Sequence, residues 1–305
     1  MAVLKLEKVN KSFGSFKAVN DVSFEVKEGT VFGLLGPNGA GKTTTIRMIT
    51  NILIADKGNI TLFGEPVKSL HQNRIGYLPE ERGLYKKIKV IDQLIYFGQL
   101  KGMSRANAKS TAQKWLKNLD ASDWANKKIQ ELSKGMQQKV QFISTILHNP
   151  DILILDEPFS GFDPINVETL KKIILDLKEE GKTILLSTHV MEQVEQLCEE
   201  IVLINKGTVV LNGNVRDIKK NYGRDNILIE FEGDDSFIND LHGVKFINRS
   251  KNRVEFNLNE TGLSSKDILN IALDKQVEIY RFELMEPSLN EIFIDVVTNL
   301  VNGNE

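Results

Sequence analysis

The stretch Gly36-Pro37-Asn38-Gly39-Ala40-Gly41-Lys42-Thr43-Thr44 constrains this chain more than any other feature. It matches G-x-x-x-x-G-K-[ST], a loop whose glycines let backbone N–H groups wrap phosphate oxygens. Such a loop works between a buried strand and the start of a helix, whose positive end faces the anion. Both flanks are present. Val31-Phe32-Gly33-Leu34-Leu35 is a short apolar run suited to a central strand. A helix is expected from about Lys42 to Ile52. In this motif Lys42 reaches the β- and γ-phosphates, and the Thr43 hydroxyl takes a place on Mg²⁺.

A second buried-strand candidate, Ile152-Leu153-Ile154-Leu155, ends in Asp156-Glu157. A carboxylate at that point holds Mg²⁺, directly or through water. Glu157 beside it can polarise an attacking water as general base. Further strands are expected at Thr183–Leu186 and Ile201–Ile204, with a helix near 165–180. Alternating strands and helices argue for an α/β sheet. Between about 88 and 148 the pattern changes. Leu94, Ile95, Phe97, Trp115, Leu116, Val140 and Ile143 recur at helical spacings, which predicts a helical subdomain. Trp115 and Trp124 read as packing residues.

Three more motifs narrow the field. Leu132-Ser133-Lys134-Gly135-Met136-Gln137-Gln138 resembles the LSGGQ signature of ATP-binding-cassette (ABC) proteins. Lys134 and Met136 depart from that pattern, whereas Ser133, Gly135 and Gln137 match it. Ser160-Gly161-Phe162-Asp163 resembles the family's D-loop, and Ser187-Thr188-His189 its H-loop. Phe13 sits where the family places an aromatic that stacks on adenine. On these residues the chain is identified as a member of the P-loop ABC ATPases. The resemblance implies ATP and Mg²⁺ as cofactors and a head-to-tail dimer. ATP would lie between the P-loop of one copy and the signature of the other. Ser133 and Gly135 would bind the γ-phosphate in trans, with Gln137 in the same motif. Asp163 would couple the two sites, and His189 would sense the γ-phosphate. Glu157, His189 and Lys42 form the expected catalytic set. Where relatives carry a glutamine that ligates Mg²⁺, this chain has Glu80, so the expected metal set is Thr43, Glu80 and Asp156.

A length of 305 residues suits about two domains. The expected division is an ABC ATPase domain over 1–213 and a small α+β domain over 214–305. In the latter, strands near 226–232, 244–249, 252–258 and 277–284 alternate with helical stretches near 236–241, 265–275 and 288–300. That order, β-α-β-β-α-β, is ferredoxin-like. Ser288 and Glu291 make a capping box for the last helix. An extension of this kind, together with Gly76-Tyr77-Leu78-Pro79-Glu80-Glu81-Arg82-Gly83-Leu84-Tyr85, resembles bacterial ATPase subunits of drug and sodium exporters.

The resemblance then implies a partner. An integral membrane permease would be a separate chain, driven by a second ATPase subunit closing on this one, as homodimer or heterodimer. No run approaches the ~18 uncharged apolar residues of a membrane span. The N-terminal MAVLKLEKVNKSFG is neither a signal peptide nor a lipidation site. One cysteine, Cys198, excludes an internal disulfide and reads as a small buried residue in a helix. A cytoplasmic protein, peripheral on the inner face of the membrane, is expected. His71, His148 and His242 lack metal-ligand spacing and read as structural or surface residues.

The net charge of -2 hides a basic segment: residues 82–139 carry 13 basic and 4 acidic side chains. This surface faces solvent, or lies against an anionic membrane or an acidic partner. An alternative function is a soluble ABC ATPase acting on ribosomes or nucleic acid. Near-neutral charge, a single P-loop and no sustained heptads argue against it, so no nucleic acid is expected. A small-molecule P-loop kinase leaves Ser133–Gln137 and His189 unexplained.

Overall fold

The chain opens with a long antiparallel pair, β1 (Ala2–Phe13) and β2 (Phe16–Lys27). Alternation drives it. Leu4, Leu6 and Val9 on one strand and Val22, Phe24 and Val26 on the other are all buried, while their neighbours, Val3 apart, are polar. The structure is a computed structural model that describes residues 2–81, 83–222, 226–241, 244–258, 263–275 and 277–302. Arg82 and His242 lie outside the described residues. The chain divides into two units, Met1–Val215 and Arg216–Glu305.

In the first unit there follow β3 (Val31–Leu35), α1 (Lys42–Ile49), β4 (Lys57–Leu62), β5 (Glu65–Pro66) and β6 (Ile75–Leu78). Helices α2 (Val90–Leu100), α3 (Arg105–Asn118) and α4 (Lys134–Ile146) form the helical subdomain. Then come β7 (Ile152–Asp156), α5 (Pro164–Glu179), β8 (Thr183–Thr188), α6 (Met191–Leu197), β9 (Glu200–Asn205) and β10 (Thr208–Asn214).

One sheet has the order β2-β1-β4-β5 and a second the order β10-β9-β3-β8-β7-β6. In the second, β9, β3, β8, β7 and β6 run parallel, and β10 returns antiparallel at the edge. Every residue of β3, β7 and β8 is buried, which is why their apolar residues run together rather than alternating, with the polar exceptions Asp156, Thr183, Ser187 and Thr188 at strand ends. One core joins the first sheet, α1 and the central strands. A separate core, built on Leu94, Leu116, Val140 and Ile143, holds the helical subdomain together. Trp115 and Trp124 pack against that second core.

Two local expectations are corrected. The helix after the P-loop ends at Ile49 rather than Ile52. The Thr50 hydroxyl donates back to the Ile46 carbonyl at 2.9 Å, and Asn51 turns to φ 56, which no α-helix continues. Cys198 lies one residue past α6, in extended backbone. It is buried as expected, and burial pushes its thiol well above the ordinary range.

The second unit contains β11 (Asn226–Glu232), β12 (Lys245–Ser250), β13 (Arg253–Asn257), α8 (Ser265–Asp274), β14 (Glu278–Met285) and α9 (Leu289–Asn302). Helix α7, Val215–Asn221, carries the chain into it. The sheet order is β12-β13-β11-β14 and all neighbours are antiparallel. Ile227, Ile229 and Phe231 form the inner stripe of β11 and pack in one core with Phe237, Ile268 and Ala272. The first helical stretch is only a 3-10 turn, Asp235–Asp240, capped by Asp234. The Ser288 box is present: its N–H donates to Glu291 at 2.7 Å, and its hydroxyl accepts from the Glu291 N–H at 3.2 Å.

Candidate functional site

Four neighbouring parallel strands deliver the candidate functional residues. In register, Leu35 of β3 pairs with Thr188 of β8, Ser187 with Asp156 of β7, and Leu155 with Leu78 of β6. Their carboxyl ends therefore lie side by side. The P-loop follows β3, His189 follows β8, Glu157 follows β7, and Pro79-Glu80 follows β6. Ligands of open parallel sheets bind at this end of the strands.

The P-loop conformation demands its glycines. Gly36 has φ 147, and a Cβ there would fall 2.1 Å from the Ile204 carbonyl oxygen. Gly41 has φ 106 and would strike the Ala18 carbonyl oxygen at 2.4 Å. Gly41 is also the N-cap of α1, and no side chain caps that end. The first-turn N–H groups are thus left for an anion. Lys42 is buried, and its ammonium donates to the carbonyls of Gly36 and Pro37 at 2.7 and 3.2 Å. Burial holds its pKa below the usual lysine range, against the opposing pull of Glu157, Asp156 and Glu80.

A cavity of about 360 Å³ opens over this loop. Asn38, Gly39, Ala40, Gly41, Lys42, Thr43 and Thr44 line one side, and Glu80, Asp156 and Glu157 the other. The Thr43 hydroxyl donates to Asp156 Oδ2 at 3.0 Å. Burial raises the Asp156 pKa above the carboxylate norm.

Glu157 is held from three directions. Its N–H donates to the Ser187 carbonyl at 2.9 Å. Thr188 Oγ1 donates to Oε2 at 3.1 Å, and His189 Nδ1 lies 2.6 Å from Oε1. Glu157 also has φ 50, a left-handed conformation that costs about 1–2 kcal/mol outside glycine.

Other expected residues lie off the cavity wall. Ser133 is the N-cap of α4, its hydroxyl accepting from the Met136 N–H at 3.3 Å. The Gln137 amide is committed locally, donating to the Leu132 and Ile129 carbonyls at 2.9 and 3.2 Å. Gly135 approaches the D-loop: a Cβ would lie 3.7 Å from the Gly161 carbonyl oxygen. Asp163 caps α5, accepting from the Asn166 N–H at 3.0 Å, and that hydrogen bond lowers its pKa. Phe13 does not line the cavity, whereas Phe16 does. The two are direct partners across the β1–β2 hairpin, so both rings leave the same face.

Three contributors escaped the sequence reading. Phe16 carries no motif of its own, and only hairpin register brings it to the cavity. Thr188 stands inside a recognised motif, but its contact with Glu157 crosses two strands. Gln141, one helical turn beyond Gln137, donates to the carbonyls of Pro79 and Glu81 at 3.3 and 3.2 Å. It ties the signature helix to the Glu80 loop.

Comparison with known proteins agrees with this geometry. Residues 19–160 match the ABC transporter family, and residues 213–297 match the C-terminal domain of DrrA1-3-like ATP-binding proteins. The chain is 45% identical to YhaQ, an uncharacterized ABC transporter ATP-binding protein of Bacillus subtilis, over 97% of this chain and 98% of that one. It is 29% identical to the linearmycin resistance ATP-binding protein LnrL of the same organism, over 96% and 98%. A solved ATP-binding subunit of an ABC transporter superposes with TM-score 0.68 at 29% identity, covering 72% of this chain and 93% of the other. The chain belongs to the ABC transporter ATP-binding proteins, and its first unit is an ATP-binding and ATP-hydrolysing cassette.

Proposed function

We propose that two ATPase subunits of this kind close on ATP and drive a separate membrane permease that exports its cargo. One observation carries the dimer: the P-loop cavity has no lining residue from 132–137. Yet α4 begins there with Ser133 and Gly135 and, like α1, carries no acidic side chain in its first turn. A helix N-terminus of that kind suits a phosphate. A second copy of the cavity meets the need, with ATP shared across the interface. The name of LnrL, a resistance protein, favours export. Among the described residues no helix is long and apolar enough to cross a membrane, so the spanning part would be another chain. The ATPase would work at the cytoplasmic face of that partner.

Within the site, Lys42 leaves its carbonyl partners for the phosphates. Phe16 and Phe13 offer aromatic faces beside the P-loop for the adenine. Thr43, Asp156 and Glu80 are hard oxygen donors lining or bordering one cavity, a set that fits Mg²⁺. The ion would neutralise charge on the β- and γ-phosphates. Glu157 takes the proton of the attacking water as its oxygen bonds to the γ-phosphorus and the bond to the ADP oxygen breaks. A carboxylate can only accept, so His189 Nδ1 carries the proton toward Oε1. Closure stores binding energy that differs between the open and closed states, and hydrolysis releases it.

The testing experiment is Glu157→Gln. The variant is expected to bind ATP, hydrolyse it about 10²–10⁴-fold more slowly and elute as a dimer in ATP. Wild-type turnover in that variant would remove Glu157 as the base. For the partner, tagged protein is recovered from its native membranes in mild detergent. A stoichiometric polytopic protein supports the permease reading, and only soluble partners would overturn it.

A further inference from the structure

A compact group of unpaired lysines lies outside the nucleotide site. The segment before α2 and the segment before α4 are about forty residues apart in sequence, yet they pair as a short ladder. Val90 N–H donates to the Lys127 carbonyl at 3.0 Å, Ile129 N–H to Ile88 at 3.0 Å, and Gln130 N–H to Lys86 at 2.9 Å. This pairing sets Lys89 directly opposite Lys128 in an antiparallel bridge. Lys86 and Lys87 occupy the tip of the adjoining turn, closed by the Ile88 N–H on the Tyr85 carbonyl at 3.2 Å. Lys127 follows on the other segment.

All five lysines are exposed, and none joins an ion pair among the described residues. Two acids lie three residues from the ladder, Asp92 in the first turn of α2 and Glu131, whose carboxylate accepts the Lys128 backbone N–H at 2.5 Å; neither forms an ion pair with these lysines among the described residues. Like charges directly opposite each other in a ladder destabilise it. The fold therefore carries a local repulsion that no ion pair among the described residues offsets. Apolar side chains stand among the charges. Ile88 is 40% exposed and Tyr85 52%, the latter with its ring 6.2 Å from that of Tyr96.

We infer that this lysine ladder is a docking surface for anionic phospholipid headgroups. Lysine is a compact point charge on a flexible stem, which suits a diffuse layer of charge. The five cationic positions contain no arginine, the residue that bidentate phosphate recognition in nucleic acid favours. The chain's net charge of -2 is not that of a dedicated polyanion binder, and the excess of basic side chains is concentrated in residues 82–139, which include this patch. Tyr85 and Ile88 can enter the headgroup boundary, where aromatic and aliphatic side chains are favoured. The inference goes beyond the permease reading and does not require it.

The test uses the full chain without a permease. Flotation with phosphatidylcholine vesicles is compared with vesicles containing phosphatidylglycerol, at about 50 mM and 500 mM salt. Binding is expected only to the anionic vesicles at low salt. At about fivefold per lysine, Lys87→Gln/Lys89→Gln/Lys128→Gln should lower the partition constant on the order of 100-fold. Its melting temperature should equal or exceed that of the parent, because repulsion is relieved. Lys57→Gln/Lys172→Gln/Lys206→Gln, with exposed lysines on other elements, should bind as the parent does. Equal binding to neutral vesicles, or full binding by the ladder variant, would overturn the inference. So would tighter binding to duplex DNA or polyglutamate than to anionic vesicles at the same salt. Failed flotation leaves the permease capture above untouched, and the reverse holds.

Discussion

The imidazole Nδ1 of His189 lies 2.6 Å from Oε1 of Glu157, so the proposed switch residue and the proposed general base form a single hydrogen-bonded unit. Thr188 completes it. Its buried hydroxyl donates to Oε2 and accepts from the Val190 N–H at 3.2 Å. It is a positioning residue that fixes the carboxylate while His189 occupies the other oxygen. Removing one hydrogen bond to a charged group costs about 1.5–3 kcal/mol. Thr188→Val should lower kcat about ten- to a hundredfold with little change in KM for ATP. Thr188→Ser, which keeps the hydroxyl, should recover most of the rate. Equal loss in both variants would mean that packing alone is at stake.

Phe16 lines the cavity and Phe13 stands opposite it in the hairpin. Base–aromatic stacking is worth about 1–3 kcal/mol by alanine substitution. Phe16→Ala should therefore weaken ATP binding about fivefold to a hundredfold, and Phe13→Ala less. Calorimetric titration decides this. A larger loss at Phe13 would assign the adenine to that ring.

Glu80 borders the cavity opposite the P-loop, on a segment whose backbone Gln141 holds at Pro79 and Glu81. Glu80→Gln keeps an oxygen donor and removes a charge. Steady-state ATPase should stay within about tenfold of wild type across a Mg²⁺ titration, since one oxygen donor serves as well as the other. Complete inactivity would show that the negative charge itself is required.

His148 sits against the central sheet, its Nε2 3.0 Å from the Ile75 carbonyl oxygen. Burial, with the Lys101 charge adding to it, lowers its pKa to about 4. Between about 4 and 6.5 the unfolded chain binds the extra proton and the folded chain does not. Stability therefore falls as pH drops through that window, by about 1–2 kcal/mol in all once solvent screening is allowed for. Urea midpoints measured across the window should show the slope in the parent and a flatter one in His148→Gln.

Much of the chemistry was legible along the chain because it sits in contiguous motifs. The P-loop from Gly36 to Thr44 encodes its own conformation, since only glycine tolerates the φ of Gly36 and Gly41. The buried strands declared themselves by unbroken apolar runs, and the second unit by strand spacing and the Ser288–Glu291 box. What stayed hidden depends on register and on distance in sequence. Phe16 reaches the cavity through a hairpin pairing, Thr188 meets Glu157 because β7 and β8 are neighbours, and Gln141 grips a loop sixty residues away. The lysine ladder is of the same kind: local charge counts show a basic segment, but not that Lys89 faces Lys128. The sequence alone determined which reactive groups exist and which backbone turns carry them, because those are properties of short stretches. Tertiary structure decided which groups touch, because strand order and register bring together residues that the chain keeps apart.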